Sequence, residues 1–176
     1  ADWLTPDISI VDPDFLESLP KDIAINTGLD AINQAFDSIW NKSARDETLK
    51  IGINAIQNGI NVLPHIEKRG FNHSDRNIMS RVSLQAGICI AKTKTSICHS
   101  ISYPITSYFN VPHGLACVFT MNAVIKMIYY KNKDKAQYRI NKISTLWNSN
   151  QDILDTIDDF AKRMQIAKKI KHYIPS

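Results

Sequence analysis

The chain has 176 residues, of which 44% are hydrophobic and 22% are charged; this composition fits one ordinary globular domain and excludes a disordered chain. The formal net charge of +4 is mild, and acidic residues interrupt the basic residues near the C-terminus, so we expect a solvated surface and no nucleic-acid partner. No apolar stretch reaches the length of a membrane span and no signal peptide opens the sequence, which predicts a cytoplasmic protein without a membrane partner.

Apolar residues recur at helical spacing along most of the chain. A short strand is predicted first, at residues 8–11. Helices are then expected at about 21–41, 46–66, 75–94, from 113 onward, 135–147 and 152–167, with Ser74 as the N-cap of the third. The sequence contains neither βαβ alternation nor a glycine-rich nucleotide-binding motif. We therefore predict an all-α fold, a single helical bundle-like domain over residues 1–176.

The three cysteines, Cys89, Cys98 and Cys117, are odd in number and form no Cys-X-X-Cys pair. This argues against a disulfide framework and against a structural zinc knot. Cys89 and Cys117 lie in apolar runs, so we interpret them as small buried hydrophobic residues. Cys98 precedes His99, but adjacent residues of a helix point about 100° apart, which disfavours a thiolate–imidazole pair between them.

Two histidines are candidates for metal ligands. His99 opens the segment that follows the third predicted helix, and His113 sits in a Pro-His-Gly corner whose neighbours restrict the backbone. Neutral imidazole is a common ligand of zinc and iron, whereas many histidines are core residues with satisfied hydrogen bonds. The pair alone leaves both interpretations open. The other three histidines, His65, His73 and His172, are interpreted as structural.

A second region, near the N-terminus, reads Thr27-Gly-Leu-Asp-Ala-Ile-Asn-Gln-Ala on a predicted helix. Together with the region from His99 to Gly114, and in this order, it resembles the iron-containing (group III) metal-dependent alcohol dehydrogenase family over about residues 6–122. That family carries a Thr-Gly-X-Asp-Ala-X-X-His-Ala run, then a His-X-X-X-His-Pro-X-Gly run followed by Pro-His-Gly. The resemblance implies the family's helical C-terminal metal-binding domain, which has the dehydroquinate synthase-like fold.

Carried over residue by residue, the resemblance implies four metal ligands: Asp30, Gln34, His99 and His113. The sequence departs from the family pattern at Gln34 and Tyr103, where the family has histidines, and at Thr106, where it has glycine. Asp30 and Gln34 are four residues apart, so a helix places both on one face. This oxygen and nitrogen donor set suits Fe(II) or Zn(II), and an amide in place of an imidazole is expected to weaken metal binding. The His-Ser-Ile-Ser-Tyr-Pro wording is similar to enzymes that reduce phosphonoacetaldehyde.

The resemblance implies an NAD(P)-dependent oxidoreductase in which the metal polarises the oxygen of a small alcohol or aldehyde during hydride transfer. The family holds its nicotinamide cofactor largely on a separate N-terminal α/β domain with a glycine-rich phosphate loop. This sequence contains no such region. We therefore expect it to be the metal-bearing catalytic half of the enzyme, inactive without the nucleotide-binding domain as its partner. A homo-oligomer is compatible with the sequence.

Two alternatives remain open at the level of the sequence. Gln34 and Tyr103 also fit a degenerate helical domain that has lost the metal and acts as an interaction or assembly module. A relative that uses the metal for non-redox chemistry would keep the same ligands. Tyr103, one helical turn beyond His99, has two interpretations of its own: a proton donor to the developing alkoxide, or a packing residue.

Overall fold

The computed structural model describes residues 6–131, 133–147 and 151–174. Within them, a short 3-10 helix at Pro13–Leu16 precedes eight α-helices. These are α1 (Lys21–Trp40), α2 (Asp46–Arg69), α3 (His73–Thr93), α4 (Ile97–Phe109), α5 (His113–Lys131), α6 (Lys133–Trp147), α7 (Ile153–Arg163) and α8 (Ile166–Lys171). No strand occurs in the described part of the chain, and the all-α prediction is confirmed. None of the described helices is both long and apolar enough to cross a membrane.

Helix α1 lies at the centre of the bundle and packs against α2, α3, α4 and α5. Five of its apolar residues recur every three or four positions and are buried: Ile25, Leu29, Ile32, Phe36 and Ile39. Burial of each such side chain stabilises the fold by about 1.5–3 kcal/mol relative to exposure, so this stripe fixes the rotation of α1 about its axis. The same rotation directs Asp30 and Asp37 toward α4, where both carboxylates contact His99.

A tight corner joins α4 to α5. Asn110 ends α4 in the left-handed region, at φ 53 and ψ 26, a conformation that asparagine adopts more readily than most residues. Val111 is fully buried, and the carbonyl of Pro112 accepts a hydrogen bond from the Ala116 N–H at 3.0 Å in the first turn of α5. The corner therefore anchors the start of α5, where His113 is the first residue.

Helix α5 approaches the backbone of α1 at Gly114. A Cβ atom at this position would lie 1.9 Å from the Asn26 carbonyl oxygen and 2.9 Å from the Asp30 backbone nitrogen. Such overlaps are with backbone rather than with a flexible side chain, so only glycine permits this packing. The contact sets the separation of α1 and α5 one residue from His113, and with it the distance between His113 and Asp30.

The strand predicted at residues 8–11 is wrong. The segment forms no ladder, and Ile8 and Ile10 are 81% and 87% exposed. A strand needs a second strand to bond its backbone, and the described part of the chain is otherwise helical. The alternation of isoleucine and serine therefore marks a segment without regular secondary structure.

Two helix ends differ from the sequence-based expectation. Helix α3 is capped by Asn72 rather than by Ser74, because Asn72 and Asp75 form a capping box in which each side chain accepts a hydrogen bond from the other's backbone N–H. The helix expected at 152–167 is divided into α7 and α8, since Gln165 adopts the left-handed conformation at φ 51.

The Gly114→Ala variant is expected to lower the free energy of unfolding by about 3 kcal/mol, because the added methyl group overlaps the backbone of α1. The matched control is Gly87→Ala in α3, where an added Cβ meets no atom within 4 Å and the change favours the helix by roughly 0.5–1 kcal/mol. Urea unfolding followed by circular dichroism measures both variants. Equal stabilities would contradict the role assigned to Gly114.

Candidate metal centre

Three helices bring Asp30, His99 and His113 to one point. Asp30 Oδ1 lies 3.2 Å from His99 Nε2 and 3.7 Å from His113 Nε2, and the centroids of the two imidazole rings are 5.5 Å apart. Each residue comes from a different helix, respectively α1, α4 and α5. Helix packing rather than a loop therefore assembles this cluster of three residues, each of which the family resemblance named as a ligand.

The carboxylate of Asp37 holds the far side of the His99 ring. Its Oδ2 atom accepts hydrogen bonds from His99 Nδ1 at 2.9 Å, from the Ser96 backbone N–H at 2.8 Å and from the His99 backbone N–H at 3.4 Å. Asp37 thus satisfies donors at the start of α4 and fixes the orientation of the imidazole. With Nδ1 bound to Asp37, the Nε2 atom faces Asp30.

The pKa of His99 reflects burial opposed by hydrogen bonding. Burial disfavours the charged ring and is the largest single influence, but hydrogen bonds with Asp30 and Asp37, joined by the contact with Cys117, outweigh it and raise the pKa to about 11. Without a metal, the ring therefore carries a proton on each nitrogen and bridges two carboxylates. Because metal ligation requires the neutral ring, a metal here would exchange with the Nε2 proton.

His113 is oriented by residues of α4. Its Nδ1 atom lies 3.4 Å from Ser102 Oγ, and the Ser102 hydroxyl donates its own proton to the His99 carbonyl at 2.8 Å, so His113 is the donor in the first pair. The Tyr103 ring stacks on His113, with centroids 6.0 Å apart and planes 12° from parallel. Tyr103 is 56% exposed, so this side of the cluster is open to solvent.

Gln34 lies one helical turn after Asp30, as the spacing predicts, and its Nε2 donates to Asp30 Oδ2 at 3.0 Å. The two oxygens of Asp30 therefore have different partners: Oδ2 accepts from Gln34, while Oδ1 faces both histidines. In this arrangement the NH2 group of the amide, rather than its oxygen, contacts the cluster. The ligand role that the resemblance implies for Gln34 stays a prediction.

Sequence reasoning missed two residues of the cluster, Asp37 and Cys117. Cys117 was interpreted as a small hydrophobic residue, but its Sγ lies 3.6 Å from His113 Nε2. It forms with Asp30, His99 and His113 a group whose ligand atoms all lie within 4.8 Å of one another. Helical spacing was the available signal, since Cys117 follows His113 by four positions and Asp37 follows Asp30 by seven.

Cys98 contributes no reactive thiolate beside these residues. It is fully buried, and this burial, together with the negative charge of Asp37, raises the pKa of its thiol to about 12. A thiol with such a pKa is neutral near pH 7 and is a poor nucleophile. This agrees with the interpretation of Cys98 from the sequence.

The donor set fits a divalent transition metal. Two imidazole nitrogens and one carboxylate oxygen are the protein ligands of many catalytic zinc sites and of non-haem Fe(II) sites. Bonds of roughly 2.0–2.2 Å at tetrahedral angles separate such ligands by about 3.3–3.6 Å, close to the 3.2 and 3.7 Å between Asp30 and the histidines. The side chains of Asp30 and His113 are 26% and 38% exposed, so solvent reaches the point between them.

Comparison with known proteins places the chain in a family. The model of the Fe-containing alcohol dehydrogenase family, C-terminal, matches residues 24–174. The chain is 25% identical over 175 residues to the NADPH-dependent butanol dehydrogenase of Clostridium saccharobutylicum. This alignment covers 97% of this chain and 44% of that protein. It is 29% identical over 122 residues to the phosphonoacetaldehyde reductase of Streptomyces viridochromogenes, in an alignment that covers 69% of this chain and 31% of that protein. The chain thus spans less than half the length of these relatives.

Solved structures share the fold. The iron-containing alcohol dehydrogenase from Thermococcus thioreducens superposes with a TM-score of 0.81 at 21% identity, covering 98% of this chain and 44% of that one. The sulfoacetaldehyde reductase from Bifidobacterium kashiwanohense, solved with NAD+, gives a TM-score of 0.79 at 22% identity, covering all of this chain and 52% of that one. Because the family model matches most of the sequence, the chain belongs to the Fe-containing alcohol dehydrogenase family and corresponds to its C-terminal domain.

Proposed function

We propose that this chain is the metal-binding catalytic half of an NAD(P)-dependent alcohol dehydrogenase or aldehyde reductase. The observation that carries the proposal is the convergence of Asp30, His99 and His113 on one point that solvent reaches. The relatives support the reaction class, since they are a butanol dehydrogenase and a phosphonoacetaldehyde reductase. The proposed substrate is a small alcohol or aldehyde, and the proposed location is the cytoplasm.

The proposed cofactors are a divalent metal, Fe(II) or Zn(II), and a nicotinamide nucleotide. The sequence contains no glycine-rich phosphate-binding motif, so we assign the nucleotide to a separate nucleotide-binding domain that acts as the partner of this one. The division agrees with the alignment, in which the chain covers 44% of the butanol dehydrogenase. Residues 1–176 are accordingly proposed as a single catalytic domain of a larger enzyme.

When bound, the metal supplies a Lewis acid that polarises the substrate oxygen. The side chains of this domain prepare the place for it. Asp37 and Ser102 each accept a hydrogen bond from the Nδ1 atom of a histidine, which leaves the Nε2 lone pairs of both neutral rings free to ligate. Gln34 holds one oxygen of Asp30 and leaves the other beside the two rings.

We assign Tyr103 the role of proton donor to the substrate oxygen. Its ring lies against His113 on the exposed side of the cluster, the side from which a substrate reaches Asp30 and His113. A phenol hydroxyl on this side can act as the general acid that gives a proton to the substrate oxygen. Tyr103 would then replace the second histidine of the family's His-X-X-X-His-Pro run.

A metal-free interaction module is the competing proposal, and one observation favours it. His99 contacts Asp30 and Asp37 directly, at 3.2 and 2.9 Å, so these charges are paired without a metal. Gln34, in place of the family's histidine, agrees with this alternative. Metal binding by the purified chain decides between the two proposals.

One equivalent of Zn(II) is expected to bind the chain. At a free zinc concentration 100 times the dissociation constant, binding stabilises the fold by about 2.7 kcal/mol and raises Tm by roughly 5–10 °C. The Asp30→Asn variant should lose most of this shift, because it lacks the charged ligand. The control is His65→Ala, an exposed histidine on α2, which should keep the shift. Thermal unfolding with and without zinc makes the measurement, and no shift in the unsubstituted chain would favour the metal-free module.

The Asp37→Asn variant is expected to bind zinc about 10- to 100-fold more weakly, because an amide makes a weaker hydrogen bond to the ligating His99 than a carboxylate does. Asp22→Asn, in the exposed first turn of the same helix, is the matched control. Competitive titration against a chelating dye at one fixed pH compares the proteins, since protons compete with the metal for the ligands. Unchanged affinity would mean that Asp37 only caps α4.

The chain alone is expected to give no measurable turnover of NADH or NADPH, even when loaded with zinc or iron. Without a phosphate-binding loop it has no means of holding a dinucleotide against the metal. Nicotinamide absorbance, followed with short alcohols and aldehydes, makes the measurement, with a full-length relative as the positive control. Turnover by the chain that disappears in Asp30→Asn would contradict the need for a nucleotide-binding partner.

A further inference from the structure

We propose that the Cys117 thiolate is the fourth protein ligand of the metal and fills the coordination position left vacant because Gln34 stands where the family has a ligating histidine. The inference rests on the proposed metal site and goes beyond it by changing the ligand set. The thiol proton passes to solvent as the sulfur ligates, and the resulting set is one carboxylate oxygen, two imidazole nitrogens and one thiolate.

The position of Sγ carries this proposal. Cys117 lies one helical turn after His113 on α5, and its Sγ is 3.6 Å from His113 Nε2. A zinc–sulfur bond of about 2.3 Å and a zinc–nitrogen bond of about 2.0–2.1 Å, at a tetrahedral angle, separate sulfur from nitrogen by roughly 3.5 Å. Ligand atoms of Cys117, Asp30, His99 and His113 all lie within 4.8 Å of one another, so four donors surround one point.

The contacts of Cys117 distinguish it from the other two cysteines. Its Sγ contacts His113 and lies within 4.8 Å of a ring nitrogen of His99. By contrast, the Cys89 thiol donates to the Thr48 carbonyl at 3.7 Å, and the Cys98 thiol lies among Asn33, Asp37 and Thr120. Among the three cysteines, Cys117 alone belongs to the group of potential ligands in the described part of the chain.

Gln34 has a different task in this arrangement. Its amide NH2 donates to Asp30 Oδ2 at 3.0 Å, and a group that donates a proton to a ligand is not itself ligating through that nitrogen. Gln34 is therefore a positioning residue that keeps Asp30 Oδ1 turned toward the histidines. Loss of its side chain is expected to weaken metal binding less than loss of the Cys117 sulfur does.

A thiolate changes which metal the site prefers. Soft sulfur ligands favour zinc over the harder cations that carboxylate and carbonyl oxygens prefer. A second anionic ligand also balances the charge of a divalent cation, since Asp30 and Cys117 then supply two negative charges. We therefore expect zinc to bind this domain in preference to magnesium, calcium or manganese.

Cobalt(II) tests the ligand set without an activity assay, because a thiolate bound to cobalt gives an intense near-ultraviolet charge-transfer absorption that imidazole and carboxylate ligands do not give. The chain, loaded with one equivalent of cobalt as measured by elemental analysis, is expected to show this absorption. The Cys89→Ala variant, the same change at a buried cysteine outside the cluster, should show it undiminished. Gln34→Ala should keep the absorption of each bound cobalt ion while binding cobalt more weakly than the unsubstituted chain. The Cys117→Ala variant should lack it and should bind cobalt at least about tenfold more weakly.

Each remaining outcome overturns the proposal. Cobalt bound at one equivalent without the charge-transfer absorption, or an absorption that persists in Cys117→Ala, would show that sulfur does not ligate. A loss of affinity in Gln34→Ala that exceeds the loss in Cys117→Ala would return the fourth position to Gln34. Failure of the unsubstituted chain to bind cobalt or zinc would instead overturn the proposed metal site itself, and the fourth ligand with it. Circular dichroism of every variant confirms that the helices are intact.

Discussion

The hydrogen bonds accepted by the buried carboxylate of Asp37 are the interactions on which the candidate metal centre depends. A single oxygen accepts hydrogen bonds from the His99 ring and from two backbone N–H groups at the start of α4. A carboxylate that is 1% exposed is costly to bury unless such bonds are made, since an unpaired buried charge destabilises a fold by several kcal/mol. The same carboxylate oxygen therefore fixes both the packing of α4 on α1 and the orientation of the His99 ring.

The other histidine is placed by a steric constraint. Gly114 lets α5 approach α1 so closely that a Cβ would overlap the Asn26 carbonyl, and His113 is the neighbouring residue. The position of His99 beside Asp30 therefore depends on the hydrogen bonds to Asp37. The position of His113 beside Asp30 depends on the close packing of α5 on α1. Both contacts involve α1, whose rotation is fixed by its buried apolar stripe, so the geometry of the cluster derives from the core.

The sequence predicted what short-range patterns determine. The helical spacing of the apolar residues predicted α1. The family motif named the three residues that converge, Asp30, His99 and His113. The role of Asp37 was not predicted, because an aspartate on a helix is usually exposed. Asp37 becomes buried only when α4 packs on α1. Cys117 lay in an apolar run, and its proximity to two imidazoles depends on how α4 and α5 are placed.

The errors in helix ends have similar causes. Asn72 and Ser74 are both good N-cap residues, and the choice between them falls to Asp75, which completes a capping box with Asn72 only. Gln165 interrupts the last predicted helix by adopting the left-handed conformation. No glycine or proline at this position indicated the break in the sequence. The strand predicted at 8–11 is wrong because a strand also requires a partner strand. The periodicity of one segment does not show whether such a partner exists.

The charges of the cluster are balanced in the folded domain without a metal. Asp30 and Asp37 both contact His99, and two carboxylates in a partly buried place require a positive charge near them. Burial opposes protonation of His99, but its hydrogen bonds with Asp30 and Asp37 raise its pKa to about 11, so the protonated ring supplies that charge in the metal-free state. A metal bound as proposed above would displace this proton and meet donors that are already in position. In the proposed site, the packing of the helices would already offset the ordering entropy that a small zinc finger loses on binding its metal.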